Sequence, residues 1–375
     1  MKVSFLCENV NKKISIVNHA VSSRSQLPVL LNFLFKAEKG KFTISATDLE
    51  IGIEAVIPAS IEEEGSITVP AKTFYDLLSS IDKGKVVLKT EGSNLLFEGN
   101  KIKTVFQTIR ADEFPKIYEE KGGEIGVFTN EVLEKEIPEV VFSASQDSGR
   151  PALSGVLFGK TKNLPAGRQG KKGGFYMVAT DGYRLSFKKD TGGEENEEKF
   201  LMPSRILREL ALLKDGGSVS VRVSSKSNQI IFEQEDVIMV GRLIEAEFPN
   251  YQKIIPQDYS TKVIVDKKDF QSAVKTSAVF ARETANIIKL SIQKNKIIVS
   301  ASAPSVGETT IEVDAVVEGE ENEIAFNVRY VLEFLSNTDG EKIIFEMTGP
   351  LNSGVFKIEG EPNYLHIIMP IRVQG

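Results

Sequence analysis

Ala179-Thr180-Asp181-Gly182-Tyr183-Arg184-Leu185-Ser186 follows the apolar run Tyr176-Met177-Val178 and leads into Phe187. It reads as the bend between two strands. Thr180 and Asp181 can hydrogen-bond the turning backbone, and Gly182 can take a positive φ where other residues strain. The bend has an earlier copy. Ala46-Thr47-Asp48-Leu49-Glu50 stands at the same place in a preceding block, after the alternating residues Lys41 to Ile44. Two copies of one bend imply a duplicated domain, and the flanking sequence extends the duplication.

Three blocks overlay along the chain. Each opens on an alternating strand (Lys2 to Leu6, Glu124 to Phe128, Lys262 to Val265) followed by an amphipathic helix. The apolar helix faces are Ile14, Val17 and Val21, then Leu133, Ile137, Val140 and Val141, then Phe270, Val274 and Ala278. Pro138 should kink or shorten the second of these. A run of strands leads to a second helix, entered at Val69-Pro70-Ala71-Lys72, Met202-Pro203-Ser204-Arg205 and Phe326-Asn327-Val328-Arg329. Pro70 and Pro203 suit helix entry, where a missing N–H costs nothing. Phe74, Leu77, Leu78 and Ile81 form the stripe of a core-facing helix.

A three-strand meander closes each block, and Phe114-Pro115 returns as Phe248-Pro249 at a whole-domain spacing rather than a solenoid period. Each block is therefore a β-α-βββ unit used twice, and the fold class is α+β. The expected domains are 1–121, 122–254 and 255–375, with polar joints at Lys116 to Gly123 and Tyr251 to Thr261. Two stretches interrupt the repeat. Lys160 to Gly174 reads as a basic, glycine-rich hairpin extension, and Gly193 to Glu198 as an acidic solvated loop.

The bulk numbers agree with such a chain. Its 375 residues allow two or three domains, and 41% apolar with 26% charged residues is an ordinary soluble composition. No apolar run approaches the roughly 20 residues that span a membrane. Glu8 interrupts what would be the core of a signal peptide. The single Cys7 rules out an internal disulfide, so a reducing cytoplasm is expected. A net charge of −6 argues against gripping nucleic acid by many phosphate contacts, unless one face is basic and the rest acidic.

The catalytic inventory is thin. His19 and His366 are far apart in sequence and are expected at the surface; with one cysteine, no zinc spacing exists, and no metal or cofactor is expected. The glycines from Gly167 to Gly174 lack the lysine placement and helix of a phosphate loop. Ser272-Ala273-Val274-Lys275 matches Ser-x-x-Lys of the β-lactamase class without its companion motifs. An enzyme built on Asp181 and Arg184, with Lys253, is the alternative reading; an aspartate at a turn is far more often a structural hydrogen-bonder. Basic residues fall on or beside every helix, among them Lys12, Lys13, Lys135, Arg208 and Lys275, but Glu131, Glu134, Glu136 and Glu139 intervene. Ordinary solvated faces account for that pattern equally well.

With the threefold duplication, Thr47-Asp48-Leu49-Glu50, Thr68-Val69-Pro70-Ala71, Ala179 to Leu185, Phe248-Pro249-Asn250-Tyr251 and the ending Met369-Pro370-Ile371-Arg372, the chain resembles the bacterial sliding clamps, the beta subunits of DNA polymerase III. The resemblance runs from Met1 to Val373. It implies a non-catalytic processivity factor: a head-to-tail homodimer closing a six-domain ring around duplex DNA, helices inward. Topology would then hold the DNA, which an acidic chain can do with weak contacts. The resemblance assigns DNA contacts to Arg24, Lys72, Gln146 and Arg150, with tyrosines common after the last of these replaced by Pro151 and Ala152. It assigns Val279 and Phe280 to the dimer interface. Polymerase, clamp loader and other partners would dock a short Leu- or Phe-anchored peptide in a cleft. Its residues would be Leu153, Thr180, Gly182, Tyr183, Arg184 and Leu185, with Leu185 as floor. Pro249, Lys253, Ile254, Ile367, Met369, Pro370, Ile371 and Arg372 would complete it. Tyr183, Lys253 and Ile371 depart from the His, Arg and Met common there, which should change peptide preference.

Overall fold

The computed structural model describes residues 1–147, 149–162, 174–189, 194–283 and 285–372. The chain forms two compact units. One comprises Met1–Asn130 with Glu209–Leu243; the other comprises Glu131–Arg208 with Ile244–Gly375. The cuts fall inside the middle block because backbone ladders tie its two halves to different neighbours.

In the first unit, Ile51–Ile57 pairs antiparallel with Val237–Arg242, so the meander of the middle block continues the sheet of the first block. The result is an eight-stranded sheet, accompanied by a five-stranded sheet whose outer strands are Ser60–Glu63 and Ile102–Gln107. Helices α1 (Cys7–Asn18) and α2 (Ala71–Ser79) pack on them. Ile14 and Val17 are buried on α1, while Val21 lies beyond its end. Phe74 and Leu78 of α2 are fully buried, and the Phe74 ring meets Phe35 edge-on at 4.9 Å between centroids. The Ser60–Glu63 strand, polar and short, carries no sequence signal and was not anticipated.

The second unit is built on one twelve-stranded sheet. Its helical elements are α3 (Ile137–Val141), α4 (Pro151–Ser154), α5 (Ser204–Glu209), α6 (Lys267–Ala281) and α7 (Val328–Asn337). Phe270, Val274 and Ala278 bury the expected face of α6, capped by Asp266, which accepts from the amides of Lys268 and Asp269. The disturbance expected at Pro138 takes the form of a wide π-type turn, Val132–Glu136, immediately before α3. A proline N cannot donate back, and the enlarged turn absorbs the missing bond without losing Leu133 and Ile137 from the core.

Two expectations need correction. The acidic stretch expected as a loop begins the strand Glu194–Pro203, which pairs with Gly155–Lys162 through Glu195 opposite Thr161 and Glu194 opposite Lys162. Strand pairing outweighs poor intrinsic propensity here. The centre of the basic extension, 163–173, lies outside the described residues. His366 is fully buried, whereas His19 is exposed beside Glu209 at 2.7 Å. The alternation Tyr364-Leu365-His366-Ile367-Ile368 turns His366 inward, between the rings of Phe334 and Phe142, with Nδ1 2.7 Å from the Ser186 hydroxyl.

Next to it, Glu139 of α3 is buried to 1% exposure and bound by Lys188 at 2.8 Å; Lys188 also reaches Glu361 at 2.9 Å. Lys135 closes the group on Glu361. Burial pushes the Glu139 carboxyl up despite Lys188. Burial also opposes the charge on Lys188, but its bonds to the two carboxylates prevail and its pKa is raised. Removing one member of such a group leaves a buried charge without its partner. Lys188→Met is expected to cost about 3–5 kcal/mol, and Glu139→Leu/Lys188→Met to recover most of it, by urea unfolding of the intact chain.

Candidate functional site

The two copies of the Thr-Asp bend close by the same bonds. Thr47 Oγ1 donates to the Ile51 carbonyl at 2.8 Å and accepts from the Leu49 amide at 3.0 Å; Asp48 Oδ1 accepts from the amides of Glu50 and Ile51 at 3.0 and 2.9 Å. Thr180 Oγ1 donates to the Arg184 carbonyl at 2.6 Å and accepts from Gly182 at 3.1 Å; Asp181 Oδ1 accepts from Tyr183 and Arg184 at 2.9 and 3.1 Å. The third residue of each bend is left-handed, with φ +78° at Leu49 and +94° at Gly182. Glycine takes that conformation freely, and leucine holds it at a cost of about 1–2 kcal/mol.

From the second bend the Arg184–Lys189 strand runs antiparallel to Tyr364–Ile368, with Leu185 opposite Ile367 and Arg184 opposite Ile368. The Met369 amide then donates to the Tyr183 carbonyl at 2.8 Å, and the Ile371 amide to the Ala325 carbonyl at 2.8 Å. The C-terminal Met369-Pro370-Ile371-Arg372 is thus fastened beside the bend. Tyr183 and Met369 are exposed, as are Gly182 and Arg372, while Pro370 and Ile371 are half-buried. Leu153, on α4, comes within reach of Gly182: a Cβ there would lie 3.9 Å from its Cδ1. Pro249, Lys253 and Ile254 are exposed and flank Tyr251, whose ring packs on Phe187 and Phe248.

Thr180, Leu185 and Ile367 are interior residues. Leu185 is 1% exposed and belongs to an apolar cluster with Leu157, Tyr176, Val178, Leu201, Tyr251, Val355 and Ile367. The side chain offers almost no surface of its own. Arg184 is also enclosed. Its guanidinium binds Asp181 Oδ2 at 3.0 Å, Glu333 Oε2 at 2.6 Å and the Phe142 carbonyl at 2.9 Å. Asp181 accepts from two bend amides through Oδ1 and from the Arg184 guanidinium through Oδ2, the structural hydrogen bonding expected of an aspartate at a turn. Glu333, Phe142 and Tyr330, which enclose Arg184, were not anticipated. Among the described residues no group of three or more His, Cys, Asp or Glu could hold a metal ion, and no helix is long and apolar enough to cross a membrane.

The residues assigned to DNA differ in freedom. Arg24 and Lys72, in the first unit, are exposed, Arg24 in a loop and Lys72 on the first turn of α2. Gln146, in the second unit, is exposed. Arg150 binds Asp147 Oδ2 at 3.1 Å and the Asp181 carbonyl at 3.3 Å, at the edge of the bend itself. Several helix-borne cations are spoken for: Lys12 by Asp215, Lys13 by Asp236 and Lys135 by Glu361. Val279 is exposed on the last turn of α6 and Phe280 half-buried against the core.

Burial, with the Arg184 charge second, holds the His366 imidazole well below its ordinary range. The ring is neutral in the fold, whereas the unfolded ring protonates below about pH 6.5. Its contribution is complete above that pH and is lost as pH falls toward the folded value, by at most about 1.4 kcal/mol per pH unit. Glu139, with a raised pKa, changes in the opposite sense. Urea unfolding between pH 5 and 7 should give a difference between the unaltered chain and His366→Gln that narrows as pH falls. Leu185→Ala should lower stability by about 2–5 kcal/mol through the cavity it opens.

Three family models match in succession: the N-terminal domain of the DNA polymerase III beta subunit over residues 1–118, its central domain over 128–250 and its C-terminal domain over 252–372. The chain is 29% identical over 385 residues to the beta sliding clamp of Synechococcus elongatus, covering all of both chains. Its structure is similar to the DNA polymerase III beta subunit of Thermotoga maritima, with TM-score 0.89, 28% identity and full coverage of both chains. It is likewise similar to the DNA polymerase sliding clamp of Bacillus subtilis, with TM-score 0.91, 26% identity and full coverage of both. With that agreement across its length and an α+β clamp fold, the chain belongs to the bacterial DNA polymerase III beta-subunit family, the sliding clamps.

Proposed function

We propose that this sliding clamp acts as a homodimer of three-domain chains, divided at 1–121, 122–254 and 255–375, which closes a six-domain ring around duplex DNA. In that role it is a non-catalytic, cytoplasmic tether for the replicative polymerase, the clamp loader and other proteins bearing a short apolar peptide. The carrying observation is the bond from the Met369 amide to the Tyr183 carbonyl, which joins the C-terminal residues to the second bend at two residues with exposed side chains and supports reading this place as the partner groove. An apolar centre with a polar rim suits an extended peptide. Arg24, Lys72, Gln146 and Arg150 supply sequence-independent contacts to phosphate, needed only to be weak where topology retains the DNA.

Dimerisation is supported by surface chemistry on separate elements. Val279 stands exposed at the end of α6, and Ile102–Gln107 is an outer strand with Val105 exposed. An outer strand with an apolar side chain is a ready template for pairing with a second copy. Light scattering should give about twice 41.4 kDa, and the protein should stay on circular DNA and leave after linearisation. A strict monomer would overturn the ring. Deleting the chain from Met369 should abolish binding of polymerase and clamp-loader peptides with the dimer intact; unchanged affinity would refute the groove. Arg24→Ala and Lys72→Ala should each lower the salt dependence of DNA association by about one unit of slope.

A further inference from the structure

Arg184 stands out once the two bends are compared. The first copy closes through the same four hydrogen bonds with Ile51 at the corresponding position, and Ile51 is buried. Closing the bend therefore requires no arginine. Enclosing a guanidinium is unfavourable unless its donors are paired, so a residue that merely filled the site would be apolar. Here every interaction of the guanidinium except that with Asp181 leads away from the bend. Glu333 and Tyr330 lie on α7, and Phe142 lies at the end of α3. The guanidinium carbon sits 4.6 Å from the Tyr330 ring centroid and 5.3 Å from that of Phe142, the geometry of a cation between two aromatic faces.

The other wall of the groove refers to the same element. The Ile371 amide bonds Ala325, on the strand Asn322–Asn327 that runs directly into α7. The bend hangs from α7 through Arg184, and the C-terminal residues hang from the strand that enters α7. We propose that Arg184 is a positioning residue: it takes no part in touching the peptide, but fixes the distance between the Gly182-Tyr183 tip and the Met369 segment by locking the bend to α7 through Glu333. The proposal rests on the groove being the partner site, and it assigns part of the partner affinity to Glu333, a residue of α7 with no place in the groove itself. A lysine, with one point of charge instead of a planar fork, could not hold Asp181, Glu333 and the Phe142 carbonyl together.

The test measures anisotropy of a fluorescein-labelled nonapeptide ending in Leu-Phe on the intact protein, with amide hydrogen exchange on the same samples. Glu333→Gln and Arg184→Lys should each weaken the peptide by about tenfold, and the double substitution should be no weaker than either alone. Glu333 is 39% exposed, so its thermal midpoint should stay within about two degrees of the unaltered chain. Exchange at the Tyr183 and Arg184 amides should quicken in both variants, while the Glu50 and Ile51 amides of the first copy stay unchanged. Full affinity in Glu333→Gln alongside loss in Arg184→Lys would overturn the proposal, because Arg184 would then touch the peptide itself. Losses that multiply in the double variant would overturn it too. If the unaltered protein fails to take up the peptide, the groove reading falls, and exchange alone decides: unchanged rates at Tyr183 and Arg184 in Glu333→Gln refute the positioning role.

Discussion

The antiparallel ladder between Arg184–Lys189 and Tyr364–Ile368 is the constraint on which the second unit depends. Strands from the middle and last blocks meet there in a single register, and every later feature inherits it. The register sets Leu185 against Ile367, sends Ser186 and His366 to the same buried side, and delivers Met369 to Tyr183. A slip of one residue would exchange the faces, taking the cluster around Tyr176 and Tyr251 into solvent and the charged Lys188 into a different neighbourhood. The ladder is thus pinned by what each face must bury.

Polar groups reinforce that register on its inner side. The chain of hydroxyls and imidazole from Ser143 through Ser186 to His366, with 2.7 Å at each step, runs beside the Glu139, Lys188 and Glu361 group. Tyr364 donates its hydroxyl to the Glu139 carbonyl at 3.0 Å, joining the strand to α3. Such groups contribute little net stability when compared with apolar side chains of equal volume. Their value is directional: each bond fails in any other packing of α3 and α7 on the ladder, whereas leucines would tolerate many. The enclosure of Arg184 belongs to the same region and obeys the same logic.

Much of this architecture is written in local pattern. The 3.6-residue spacing of Phe270, Val274 and Ala278, the proline at each of two helix entries and the alternation in the meanders are short-range signals, and the elements follow them to within a few residues. The strand Ser60–Glu63 and the acidic start of Glu194–Pro203 were illegible because such polar stretches form strands only when a neighbour offers a ladder. His366 looked like a surface histidine since its neighbours say nothing about the Ser186 hydroxyl 180 positions earlier. Arg184 could be assigned to the groove by resemblance, but its partner Glu333 lies 149 positions away, and only the folded sheet brings them together. Residues that serve a site by contact are near its motif; residues that serve it by holding something still need not be.

The two Thr-Asp bends make that distinction within one molecule. Their backbones close alike, so the hydroxyl and carboxylate of the motif explain shape and nothing more. What differs are the third, fourth and fifth residues, with Glu50 in the first copy where the second has Tyr183. The first copy keeps Leu49 in a left-handed conformation that costs it energy and buries Ile51; the second has an unstrained Gly182 and spends its fifth position on a charge shared with α7. A duplicated turn can therefore be conserved as geometry in both copies while only one is tied to distant elements. The tie, rather than the turn, is what separates a corner of the sheet from a wall of the proposed partner groove.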